Sequence, residues 1–255
     1  MDKFMADMAE VFANPKYLEM FLSGIWETLY STVLATAAAC ILGLILGVLL
    51  VTGEKNGVRP LPSPVMKLLN FITNILRSVP FLILMLFVLP LSGLLLGTKI
   101  GTPASIPPLV VAAFPFVARL VETSLRDVDH GVIEAAQAMG CTSFQIIRKV
   151  LLPECLPSLI SGFTTSFITI LSYGAMAGAI GGGGLGQIAI NYGYNRYNYA
   201  VMLIATILIV ILVTIFQALG SWLASRVDHR STKIKRGKLR VRFNDPIHLE
   251  VGPDE

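Results

Sequence analysis

A glycine run, three histidines, three cysteines and one charged triplet are the places where this chain could hold chemistry. Gly181-Gly182-Gly183-Gly184-Leu185-Gly186 matches the letters of a dinucleotide site, G-x-G-x-x-G. Such a site needs a preceding strand, a following helix and an acid downstream. Here the run follows a long apolar stretch, so a tight turn or a movable hinge is the reading. His130, His229 and His248 stand apart, and neither H-E-x-x-H nor G-x-S-x-G occurs. Cys40, Cys141 and Cys155 lack ligand spacing and read as free thiols in a reducing compartment. No G-x-x-x-x-G-K-[ST] is present, so the chain lacks the usual phosphate cradle. Arg119, Glu122 and Arg126 fall at i, i+3 and i+7, a spacing that suits a structural ion pair. No catalytic, cofactor-binding or metal-ligating residue is assigned, and the chain reads as a non-enzyme.

The elements that carry these residues are apolar. Of 255 residues, 54% are hydrophobic and 14% charged, with a mean hydropathy of +0.71. A soluble domain of this size rarely reaches such values. Five stretches have roughly the 20 apolar residues that a crossing needs: Val33–Val51, Val79–Gly97, Ala104–Leu125, Leu156–Ile180 and Ala200–Ala224. Backbone facing lipid must satisfy itself, so the fold class is all-α membrane protein with five transmembrane helices. With the N-terminus outside and the C-terminus inside, four basic residues lie on outer segments and fifteen on inner ones, as the positive-inside rule requires. Residues 1–23 form an extracytoplasmic arm and 24–225 the transmembrane domain. Residues 226–255 form a basic cytoplasmic tail, suited to anionic lipid head-groups and not assigned to nucleic acid.

Several segments have particular designs. Gly43 and Gly47 form a GxxxG pair that would let a neighbouring helix approach. Lys67, Asn70, Asn74 and Arg77 share one stripe of an amphipathic helix. Ser78-Val79-Pro80 marks a bend after it. Arg77 either lines a pathway or snorkels to the inner head-groups. The third span is expected to be kinked at Pro107, Pro108 and Pro115. In the fourth, Ser158, Gly162, Ser166, Gly174, Gly178 and Gly182 make a ridge for close packing, facing a symmetry mate or a pathway. Tyr173, Gly174, Met176 and Gly178 are its pathway or gate residues, Met176 because a thioether is bulky, apolar and adaptable.

One long polar-faced insert separates two spans, at about residues 129–153. Asp129 can cap a short helix carrying Glu134, Ala135 and Ala136, and Gly140 ends it. Thr142 or Ser143 can cap a second helix, Phe144 to Leu152, closed by Pro153. The result is a compact cytoplasmic knob, or else an ordinary connector.

The insert resembles the signature of the membrane subunits of bacterial ABC importers: E-A-A, three residues, G, nine residues, I-x-L-P. Here it reads Glu134-Ala135-Ala136, Gly140, Val150 for isoleucine, Leu152 and Pro153. From about Gly24 to Val227 the chain is similar to the methionine importer permease family. RSVPFLIL from Arg77, FPFVARLVETSL from Phe114 and YGAMAGAIGGGGLGQIAINYGY from Tyr173 carry that likeness. The resemblance implies coupling helices that dock Glu134, Ala135, Ala136, Gly140, Leu152 and Pro153 into a separate ATPase. It implies two permease copies with two ATP-binding cassette subunits, fed by an extracytoplasmic substrate-binding lipoprotein, in the bacterial inner membrane. ATP and magnesium then belong to the partner ATPase. Methionine comes from the resemblance alone, and a related amino acid is the alternative cargo. An ion-coupled carrier would show repeats and midplane carboxylates, which this sequence lacks.

Overall fold

Asn14 decides where the first long helix begins. Its side chain accepts from the Lys16 N–H at 3.1 Å, and Pro15 takes the first helical position, a favoured pairing at helix starts. In the computed structural model, which describes residues 2–228, a short α1 (Asp2–Ala13) precedes this helix, α2 (Pro15–Thr52). α2 has 38 residues. At 1.5 Å each it is about 57 Å long, well beyond a hydrocarbon core of roughly 30 Å. The expected span Val33–Val51 is therefore the last part of a longer helix, and the boundary at residue 23 falls inside it.

α3 (Ser63–Ser78) and α4 (Phe81–Leu96) meet at a 111° bend. Val79 is extended there, with ψ 128°, because the proline ring at position 80 disfavours helix in the residue before it. α4 has 16 residues, too few to cross alone. The span expected at Val79–Gly97 is thus one limb of a broken pair.

α5 (Thr102–Arg126) is the central helix and holds Pro107, Pro108 and Pro115 within one unbroken run. It packs against α2, where Ala35, Ala39, Leu109, Ala113, Val117 and Val121 are buried together. Gly43 and Gly47 make that approach possible. A Cβ added at either would sit 2.6 Å from Val117 or Val121.

After α5 come α6 (His130–Ala138), α7 (Ser143–Ile146), a π turn (Ile147–Leu151), α8 (Leu152–Glu154) and α9 (Leu156–Ala177). A 3-10 turn (Gly178–Ile180), α10 (Gly184–Ile188), a second π turn (Ala189–Tyr194) and α11 (Tyr199–Val227) complete the described chain. The glycine run is a tight turn, with positive φ at Gly181, Gly183 and Gly184. Glu27 fastens it: its Oε2 accepts from the Gly184 N–H at 2.8 Å and the Thr102 hydroxyl at 3.0 Å.

Every regular element among the described residues is a helix. By length and composition, α2, α5, Leu156–Ile180 and α11 can each cross a membrane, and the bent pair α3–α4 makes five. The tail from residue 229, including Lys238–Phe243, whose polar–apolar alternation would suit a short strand, lies outside the described residues.

Candidate functional site: the knob at residues 129–153

The knob is built from local hydrogen bonds. Asp129 Oδ1 accepts from the Gly131 N–H at 2.7 Å and starts α6. At the other end the Cys141 N–H returns to the Ala136 carbonyl and the Gly140 N–H to Gln137, the paired bonds of a Schellman motif. Gly140 has φ +80° with no atom within 4 Å of an added Cβ. Glycine is therefore needed for its backbone and not for space. Thr142 and Gln145 then close a reciprocal capping box, with bonds of 2.8 and 3.4 Å.

The root of the knob is apolar. Ala136, Ile146, Leu151, Cys155 and Val128 are all buried in the main core, and Ser143 Oγ donates to the Val58 carbonyl at 2.9 Å. Among the six expected coupling residues, Glu134, Ala135, Gly140 and Pro153 are exposed, Leu152 is half-buried and Ala136 is buried. Sequence reasoning treated both alanines as contact surface; Ala136 instead faces inward. Pro153 does not close the helix. The π turn before it widens the backbone, with Leu152 N–H bonding to Ile147 O, and the chain continues through Pro153 to Glu154. A wider turn removes the clash that a proline ring makes with the carbonyl four residues back. Cys155 marks the short interruption before α9.

Two outward side chains were missed. Met139 is 76% exposed and Phe144 69%. They flank Gly140 and make an uncovered apolar tip. Their only signal was that Ile146 and Leu151 already suffice for the root.

Above the knob runs a charged clamp. Arg126 donates to Glu122 at 3.0 Å and also bonds to Glu54. Arg119 bonds to Glu122 and donates to Asn70 and Asn74 at 2.9 Å each. The clamp thus joins α3, α5 and the loop after α2 through Asn70 and Asn74 of the polar stripe on α3, while Lys67 and Arg77 of that stripe are exposed. A groove of about 420 Å³ lies between that loop and the knob, lined by Glu54, Arg126, His130, Glu134 and Gln137.

The four expected pathway residues are divided. Tyr173 stacks on Phe81, rings 4.4 Å apart and 4° from parallel. Met176 is 49% exposed and Gly174 borders open space. Gly178 is buried against the backbone of Gly186 and Gln187. Of the small-residue ridge, Ser158 bonds to Ser124 at 2.8 Å, Gly162 touches Leu120 and Ser166 is fully buried. Except at Gly174, that ridge meets other parts of the same chain. The uncovered row of α9 is Ser161, Thr165, Ser172 and Met176.

Among the described residues no cluster of three metal-ligating side chains occurs, and none of the three cysteines is in a disulfide.

Residues 57–229 match the family model described as binding-protein-dependent transport system inner membrane component. The chain is 48% identical over 212 residues to the probable D-methionine transport system permease protein MetI of Vibrio cholerae serotype O1, covering 83% of this chain and 94% of that one. It is also 48% identical over 159 residues to the methionine import system permease protein MetP of Bacillus subtilis, covering 62% and 72%. A solved structure of the MetNI methionine ABC transporter in inward facing conformations superposes with a TM-score of 0.81. Its identity is 42%, over 84% of this chain and 99% of that chain. An amino acid ABC transporter crystallised with histidines shares the fold at 22% identity and a TM-score of 0.68. With this match over most of its length, the chain belongs to the family of binding-protein-dependent transport system inner membrane components.

Proposed function

We propose that this chain is the membrane-embedded subunit of an ATP-driven importer whose cargo is methionine. The knob carries the reading. Buried Ala136, Ile146 and Leu151 root it, yet Met139, Phe144, Glu134 and Ala135 stand uncovered. An apolar tip rimmed by polar groups is what a partner surface covers. The similarity to methionine permeases supports the cargo.

In this reading the knob lies in the cytoplasm, the N-terminus outside, and two copies pair across the pathway. Each knob docks on one of two cassette subunits, which hold ATP and magnesium. An extracytoplasmic lipoprotein delivers the amino acid. Glu134, Ala135, Gly140 and Pro153 form the contact surface with Met139 and Phe144, while Ala136 and Leu152 hold the root. ATP moves the spans only if the docked cassettes bind the two arrangements with different affinity. The uncovered hydroxyls of α9 and Met176 line the path. The test is uptake of labelled methionine into vesicles carrying the full complex. Uptake should require ATP, and Glu134→Lys should abolish it while the protein still inserts. Undiminished uptake in that variant, or uptake driven by an ion gradient without ATP, overturns the proposal.

A further inference from the structure

Arg77, an exposed residue at the end of α3, is a cation that the mechanism above leaves without a task. It has no hydrogen-bond or ion-pair partner among the described residues, whereas Arg119 and Arg126 are both engaged in the clamp. It lines a cavity of about 170 Å³ together with Phe81, Leu84, Ala112, Phe116 and Tyr173. At roughly 30 Å³ of liquid per water, this is the space of five or six waters, or of one small organic molecule. No acidic side chain lines it.

The lining of the cavity favours the pathway reading of Arg77, which is exposed yet borders this apolar, aromatic space. Ala112 and Phe116 lie about 15 and 21 Å along α5 from Thr102, at 1.5 Å per residue, near the middle of that 25-residue helix. An ionisable side chain beside the middle of a membrane-crossing helix characteristically faces a cavity or path and not lipid. The 111° bend sets Arg77 beside the start of α4, because α3 ends where Pro80 turns the chain.

We propose that this cavity is a way-station for the transported amino acid, in which Arg77 holds the α-carboxylate and the aromatic rings hold the side chain. A guanidinium keeps its charge and presents paired N–H donors that match a carboxylate. The stacked Phe81 and Tyr173 give one flat wall and Phe116 adds another ring. Sulfur favours aromatic edges, and an unbranched thioether bends to fit a small irregular space. The site rests on the importer reading and assigns its specificity: carboxylate first, then an unbranched apolar side chain.

The test is direct binding of tritiated L-methionine to the purified complex of permease and ATPase in nanodiscs, without the lipoprotein. Binding should saturate, compete with norleucine, and fail to compete with methioninol, which lacks the carboxylate. Arg77→Gln should weaken it at least about tenfold, the loss of one charge-assisted pair. Arg77→Lys should recover part of that loss. Size-exclusion elution unchanged from wild type shows that a variant is assembled. The methioninol comparison needs no variant at all. Absent saturable binding, or equal competition by methioninol, overturns the way-station even if vesicles import methionine with ATP. Vesicles that import no amino acid with ATP overturn the importer and the way-station together.

Discussion

Single residues of the knob divide its work between holding shape and meeting a partner. Gly140 holds shape: its φ of +80° suits glycine, and no neighbour crowds it. Gly140→Ala should therefore cost about 1–2 kcal/mol, the penalty of a left-handed backbone with a Cβ. Gly140→Asn should lie close to wild type, since asparagine is the other residue that ends helices this way. The unfolding midpoint of the solubilised protein separates the two, and equal midpoints for Ala and Asn would sink the argument. Asp129, Gly140 and Thr142 were legible in the sequence because a cap is a local event, settled within four residues. Met139 and Phe144 were not. Whether a methionine in a short helix points in or out depends on what fills the root, and Ile146 and Leu151 come from later in the chain. Ala136 was misplaced for the same reason.

Elements were legible where backbone chemistry dictates and less so where packing decides. The bend before Pro80 follows from the proline itself. Pro153 looked like the same kind of signal and was not one, because the π turn absorbs its ring without ending the helix. The Gly43–Gly47 pair is a common spacing in apolar helices, yet here both positions touch α5. Gly47→Leu would push side-chain atoms into Val121 and the Ala118 carbonyl, each within 2.7 Å of the first added carbon. An overpacked contact of this kind costs about 1–3 kcal/mol or more. The solubilised variant should unfold at a clearly lower temperature. Gly162→Ala is the contrast: its Cβ would meet Leu120 at 3.6 Å, an ordinary contact, and its midpoint should stay near wild type. A similar loss in both variants would refute the packing reading.

At the scale of the molecule, much of the apolar helix surface is uncovered. α11 has only 17% of its most apolar window buried, and α2 only 33%. Lipid can cover Ile207, Val210 and Ile211 on α11. It is a poor cover for the hydroxyls of Ser161, Thr165 and Ser172, although those of Thr165 and Ser172 bond back to their own helix. The proposed pairing of two copies gives this row a wet path to line. The all-helical class with four or five apolar spans was legible from apolar length alone. The broken α3–α4 pair was visible only as a bend, because nothing in 16 apolar residues states how deep in a membrane they begin.

The turn between α3 and α4 also leaves the opening amides of α4 without carbonyl partners, as every helix start does. Val79 and Phe81 line the adjoining cavity, and water there is what can satisfy those amides. Deuterium should therefore reach the backbone of Phe81 and Leu82 quickly, while Met85, one turn on and almost fully buried, keeps its proton far longer. Mass-resolved isotope labelling of the solubilised protein would read this directly, and uniform protection along α4 would mean the turn is dry.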